Sequence, residues 1–184
     1  MEELNFDVVI VGGGPAGSSA AHMAAKNGCT VALIEKEKEI AQTVRTSGVT
    51  WISDIKKFGI PEECYNPIKK FSFCSPKNTV KISDDVAKAA VLDVRKTYRF
   101  LANRAKASGS NVFTSTNVLE VLKDSAGKCI GVVAKSEGKQ IQFNSKVVID
   151  ASGFGSVIAK GLGYVKQWKK FGAGAEFEVK TEKL

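Results

Sequence analysis

The chain has 184 residues, 43% hydrophobic and 25% charged, which is enough apolar material for a packed core and excludes disorder as the main state. The net charge of +8, from 27 Lys and Arg against 19 Asp and Glu, is scattered in pairs such as Lys56-Lys57, Lys69-Lys70 and Lys169-Lys170. No basic block with interleaved aromatics or recognition module accompanies it, so nucleic acid is excluded as a partner. The charge reads first as solvated lysines and second as attraction to an anionic partner: a phosphorylated cofactor, an anionic lipid or an acidic electron carrier.

In chain order, Asp7 to Val11 is an apolar run after one acid, the pattern of a strand buried on both faces. Gly12-Gly13-Gly14-Pro15-Ala16-Gly17 follows, then an alanine-rich helix from Ser18 that stops at Asn27-Gly28. Thr30 to Ile34 is a second buried strand, closed by Glu35, which makes a β-α-β unit of about 30 residues. The spacing of Trp51, Ile52, Ile55 and Phe58 predicts a helix over Ser47–Phe58, ended by Gly59 and Pro61. Phe71–Cys74 and Thr79–Ile82 flank Pro76-Lys77-Asn78 as a hairpin. Tyr98, Leu101, Ala102 and Ala105 predict an amphipathic helix over Leu92–Ser108. From Asn111 the period becomes two, with strands over Val118–Leu122, Cys129–Ala134 and Gln140–Phe143. Val147–Ile149 is again a buried-type strand, and a further strand is expected over 174–179.

Gly12-x-Gly14-x-x-Gly17 sits between a strand and a helix, the context a dinucleotide loop requires. Gly12 permits the tight turn, Gly14 lets backbone approach a pyrophosphate, and Gly17 lets the helix pack on the strand. The helix N-terminus offers free N–H groups and partial positive charge, and Pro15 fits its first turn. Glu35, 18 residues after Gly17, can accept hydrogen bonds from both ribose hydroxyls. Its charge would repel a 2′-phosphate, so NADP is disfavoured there. NAD and the ADP half of FAD are not separated by this loop.

Lys146–Ser156 is a buried strand opening into the glycine-rich turn Ala151-Ser152-Gly153-Phe154-Gly155. With an antiparallel meander between the two nucleotide segments, the layout resembles the glutathione-reductase-like class of FAD domains. Val91-Leu92-Asp93-Val94-Arg95 and Asp150-Ala151-Ser152-Gly153-Phe154-Gly155-Ser156 resemble segments of the p-hydroxybenzoate-hydroxylase-like flavoproteins. Gln42–Gly48 and the hairpin are most similar to geranylgeranyl reductases, FAD enzymes that saturate isoprenoid chains.

The resemblance implies an α/β Rossmann-like FAD-binding domain with an antiparallel β crossover. That domain is expected over 1–64 and 86–165, and the start of a β-sheet substrate domain over 65–85 and 166–184. The implied cofactor is FAD, with NAD(P)H or a reduced electron carrier as donor. The implied substrate is a prenyl lipid or other small hydrophobic molecule, its C=C bond reduced by hydride from the flavin, and the expected setting is cytoplasmic and peripheral to a membrane through that substrate. Gly12, Gly14, Pro15, Ala16, Gly17 and Glu35 are expected to hold the ADP half, with Lys36 beside the adenosine. Arg45 matches a basic residue that reaches the phosphates or the flavin face, Val118 stands where the family's backbone pairs with adenine, and Asp150 and Gly153 match the second segment.

Thr46 stands where many of these reductases carry cysteine, and the family's later G-D motif for the ribityl chain is not within Met1–Leu184. A C-terminal half, or a partner subunit supplying it, is therefore expected. The alternatives are an aromatic or polyketide monooxygenase, and a nucleotide-binding half-subunit inactive alone. Cys29, Cys64, Cys74 and Cys129 have no metal or dithiol spacing, so reduced thiols and no metal are expected. His22, Glu62-Glu63, Asp84-Asp85, Trp51 and Trp168 read as structural or solvated.

Overall fold

The computed structural model describes residues 1–165, together with Gly172 and Gly174. The strand expected over 174–179 lies outside the described residues. The chain divides into two compact units. Among the described residues one contains Met1–Gln42 and 98–165, and the other contains Thr43–Thr97 with Gly172 and Gly174.

The first unit is built on β1 (Glu2–Val11), α1 (Pro15–Lys26) and β2 (Val31–Ile34). One six-stranded sheet runs β8 (Asn111–Phe113), β2, β1, β11 (Lys139–Asp150), β10 (Cys129–Ser136), β9 (Thr116–Lys123). The four strands β8, β2, β1 and β11 are parallel, and β9 and β10 add antiparallel. The parallel set needs cover on both faces. On one face Val8, Ile10, Val31 and Leu33 pack with Ala21 of α1 and Ala105 of the helix α3 (Val94–Ala107). On the other, Val9, Val11, Ala32, Ile34, Phe143 and Ile158 form a second cluster. Phe113 meets Phe143 edge-on at 5.0 Å there.

Two strand readings are corrected. Gln140–Phe143 and Val147–Ile149 belong to the single strand β11. The polar stretch between them does not break it, because its side chains find partners across the ladder. Asn144 Nδ2 donates to Asn5 Oδ1 at 3.2 Å, and Lys146 Nζ lies 2.7 Å from Asp7 Oδ1. β1 correspondingly begins at Glu2 rather than Asp7, in parallel register with β11 from Ile141 onward.

The second unit holds a three-stranded sheet, β3 (Val49–Trp51), β7 (Ala89–Leu92) and β4 (Tyr65–Ile68), and a separate ribbon of β5 (Lys70–Cys74) and β6 (Thr79–Ser83). The helix expected over Ser47–Phe58 is shorter: α2 covers Ile52–Phe58, and Val49–Trp51 pairs with β7 instead. The expected apolar face buries only Ile55; Trp51 and Phe58 are exposed. Leu92 likewise leaves the predicted helix for β7, where it lies opposite Tyr65. β3 has three residues and β7 four that do not alternate, too short a pattern to announce their pairing locally.

Candidate functional site

β1, β2 and β11 end together at Val11, Ile34 and Asp150, and the glycine loop leaves from the first of these ends. The Gly12 N–H donates to the Ile34 carbonyl at 2.8 Å, and the Ala151 N–H to that of Val11 at 2.9 Å. Gly12 has φ +111°, and a Cβ on it would run into the Ala151 carbonyl oxygen. A Cβ on Gly17 would run into the Gly12 carbonyl oxygen. These two glycines let the strand end, the helix start and the turn after β11 stack at backbone contact.

Gly14 differs. It is the extended N-cap of α1, at φ −70° and ψ −175°, and a Cβ there would meet nothing within 4 Å. Pro15 has no N–H, and the Ser18 N–H donates to the Gly14 carbonyl at 2.9 Å as the first helical bond. Ala16 and Gly17 are thus left with amides that α1 itself cannot satisfy. No side chain caps this end. The open rim at Gly14, before two free donors and the positive end of a 12-residue helix, fits a pyrophosphate.

Glu35 is anchored by its backbone and aimed by its side chain. Its N–H donates to the Phe113 carbonyl at 2.8 Å, and its carbonyl accepts from Thr116 N–H at 2.9 Å. Its Oε2 accepts from Gly13 N–H at 2.7 Å and its Oε1 from Glu37 N–H at 3.0 Å. The carboxylate therefore sits at the edge of the glycine loop. The Thr116 bond, with Ser115 N–H donating to the Glu37 carbonyl at 2.8 Å, brings the start of β9 beside it. Val118, two residues on, is half-buried opposite Ala134. Lys36 is exposed next to Glu35.

The motif reading left Gly13 as a free position. A Cβ on it would stand 3.1 Å from both Cβ and Oε2 of Glu35 and would meet the Ile40 side chain. Three successive glycines, where the motif asks for two of the three, were the available signal.

Asp150 spends both oxygens inside its own turn. Oδ1 accepts from the Ser152 N–H at 3.1 Å and its hydroxyl at 2.5 Å; Oδ2 accepts from the N–H of Ile158 at 3.0 Å and Ala159 at 2.9 Å. The Ile158 and Ala159 bonds cap the short helix α4 (Val157–Gly161). Burial raises this carboxyl, but the Ser152 hydroxyl and the three amides outweigh it and hold it below the usual carboxylate value. Gly153 is exposed at φ +64°. Arg45 belongs to the second unit, in the irregular stretch before β3.

His22 Nδ1 lies 2.7 Å from Ser108 Oγ, whose hydroxyl donates to the Arg104 carbonyl, so the imidazole ties α1 to the end of α3. Burial, then the Arg104 and Lys26 charges, lowers its pKa and favours the neutral ring. Asp84 pairs with Lys88 at 2.9 Å, and Glu62 and Glu63 are exposed on a 3₁₀ turn. Among the described residues no group of three or more His, Cys, Asp or Glu is placed to hold a metal, and no helix is long and apolar enough to cross a membrane.

Residues 7–173 match the family of FAD dependent oxidoreductases, and the chain belongs to that family. It is 35% identical over 192 residues to digeranylgeranylglycerophospholipid reductase of Methanocaldococcus jannaschii, an alignment covering 100% of this chain and 48% of that protein. The crystal structure of a geranylgeranyl bacteriochlorophyll reductase-like protein from Thermoplasma acidophilum superposes with a TM-score of 0.80 at 29% identity, over 88% of this chain and 42% of that one. The chain thus spans about half the length of these relatives. A Methanosarcina barkeri protein, described only as lying in the nifH2 5′ region, is 30% identical over 175 residues, covering 88% of this chain and 89% of that protein.

Proposed function

We propose that the chain binds FAD by its ADP portion and serves an oxidoreductase that reduces C=C bonds of an isoprenoid lipid. The observation that carries the cofactor reading is the open rim at Gly14 before the amides of Ala16 and Gly17, with the Glu35 carboxylate held alongside. In this reading those two amides bind the pyrophosphate, and Gly12 and Gly17 keep the loop close enough for them to do so. Glu35 accepts the ribose hydroxyls, Lys36 flanks the adenosine, and the backbone at Val118 borders the adenine. Asp150 and Gly153 shape the turn whose Ala151 carbonyl stands against Gly12. When bound, the flavin supplies the redox chemistry, and the protein supplies binding, orientation and electrostatics. The prenyl-lipid substrate is supported by the names of the relatives, and the donor is NAD(P)H or a reduced electron carrier.

Titration calorimetry with FAD, ADP and FMN tests the cofactor reading. The expected result is FAD binding on the order of micromolar, about −8 kcal/mol, with ADP competing almost as well and FMN far weaker. FMN binding as tightly as FAD overturns the placement of the ADP half on the glycine loop. Anaerobic saturation of a prenyl lipid by a chain carrying the substrate domain tests the reaction, and oxygen-dependent NAD(P)H consumption in its place would point to a monooxygenase.

A further inference from the structure

Ser18 lies at the first turn of α1 with its side chain fully enclosed. A hydroxyl is unfavourable there unless it is bonded, and alanine, which fills the other buried position at Ala21, would suit the helix better. A helical serine ordinarily turns its hydroxyl to the carbonyl three or four residues back. Ser18 passes over Gly14, whose carbonyl takes the Ser18 N–H at 2.9 Å, and donates its hydroxyl to the Gly13 carbonyl, five residues back, at 3.1 Å.

That bond falls on the peptide between two glycines. With no Cβ on either side, such a peptide can turn over at little steric cost. Gly13 is instead held from both ends: its N–H donates to Glu35 Oε2 at 2.7 Å, and its carbonyl accepts from Ser18. The peptide is trans, so the Gly14 N–H points the opposite way from the Gly13 carbonyl, away from Ser18. Among the described residues this N–H has no hydrogen-bond partner, and Gly14 is the residue whose Cβ would meet nothing within 4 Å. Turned over, the same peptide would present the Gly13 carbonyl oxygen there, which repels an anion.

We propose that Ser18 is the positioning residue of the glycine loop: its hydroxyl fixes the Gly13–Gly14 peptide so that the Gly14 N–H joins those of Ala16 and Gly17 as a third donor to the diphosphate. The proposal rests on the reading that places a diphosphate at this loop, and it is independent of the flavin end and of the substrate.

Calorimetric titration of the full chain with ADP and with adenosine, in wild type and in Ser18→Ala, tests it. Wild type should bind ADP well ahead of adenosine. Ser18→Ala should lose roughly tenfold in ADP affinity and less than about twofold in adenosine affinity. Ser18→Cys, with a weak donor in place of the hydroxyl, should fall between. In the isotope-labelled chain, inorganic pyrophosphate should move the Gly14 amide proton downfield in wild type and leave it nearly unmoved in Ser18→Ala. Should Ser18→Ala not fold, Ser18→Cys and the wild-type Gly14 signal carry the same comparison. A serine that only supports the fold would lower the affinity for both ligands together, and that result overturns the proposal. So does an unchanged ADP affinity, or a Gly14 amide that responds to pyrophosphate equally in both chains. Wild type that binds ADP no better than adenosine overturns the cofactor reading and the proposal with it, whereas a wild type that prefers ADP and a variant that behaves identically overturn the proposal alone.

Discussion

Replacing Gly14 by Val separates folding from binding. In the folded chain Gly14 has an ordinary extended backbone, and a side chain there would project into space with no atom within 4 Å. Stiffening the unfolded chain favours the variant by about 0.4–1 kcal/mol. Losing a glycine N-cap opposes this by a similar amount. Net stability should therefore change by less than about 1 kcal/mol, a melting shift of roughly 2–4 °C or less. The ligand should fare differently, because the valine side chain would occupy the rim through which, in the proposed reading, phosphate oxygens reach the Ala16 and Gly17 amides. Each charge-assisted hydrogen bond contributes about 1.5–3 kcal/mol, so losing both costs about 3–6 kcal/mol. That is roughly a hundredfold to ten-thousandfold in Kd. Calorimetric titration with FAD and a thermal melt of the same sample decide it. A Gly14→Val chain that melts normally and still binds FAD tightly would refute the placement of the phosphates. One that loses FAD along with a large drop in melting temperature would refute the open rim.

The neighbouring positions should respond differently. Gly17→Ala drives a Cβ into the Gly12 carbonyl oxygen and should destabilise the ligand-free chain by about 3 kcal/mol or more, read from denaturant midpoints; an unchanged midpoint refutes the close stacking. Gly13→Ala crowds Glu35 and Ile40, and should lower FAD affinity several-fold while costing about 1–3 kcal/mol of stability; unaltered affinity removes Glu35 from the ribose contact. Glu35→Arg turns an acceptor into a donor and should weaken FAD by at least about tenfold, roughly 1.4 kcal/mol, in the same titration. Asp150 gives a pH signature. Its folded carboxyl lies below the ordinary value, so the unfolded chain takes up the proton first as pH falls. Its contribution is complete above about pH 4 and is lost as pH drops further through the folded value. Asp150→Asn should accordingly melt lower than wild type near neutral pH, with the gap closing in acid; a constant gap refutes the role of the charge.

Much of the glycine loop and its flanking acid was legible in the residues themselves, because their arrangement depends on short-range backbone sterics. The glycine spacing, the apolar strands on either side, the alanine-rich helix and an acid ending the second strand all lie within Asp7–Glu35, and the fold arranges them as one β-α-β unit. The exposed hairpin was legible too, from alternation around Pro76-Lys77-Asn78. The break within β11 was misleading because a strand's continuity is decided by its neighbours. Asn144 and Lys146 look like an interruption until Asn5 and Asp7 are placed opposite them.

Other features needed residues far apart in the chain to meet. Trp51 opens the helical spacing continued by Ile52, Ile55 and Phe58, yet Val49–Trp51 pairs with Ala89–Val91, about forty positions away, and no local pattern announces that partner. The constraint on Gly13 comes from Glu35 and Ile40, and the direction of Glu35 from the Gly13 amide itself. Asp150 looked like a cofactor ligand by its motif, while two of its four hydrogen bonds, to Ile158 and Ala159, are set by how α4 returns over the end of β11. Local sequence determined which backbone could bend and which helix end would carry free amides, since torsional freedom and missing donors belong to single residues. Tertiary structure decided what stands in front of those amides and which N–H groups hold each carboxylate, since both follow from contacts that exist only once the sheet has closed.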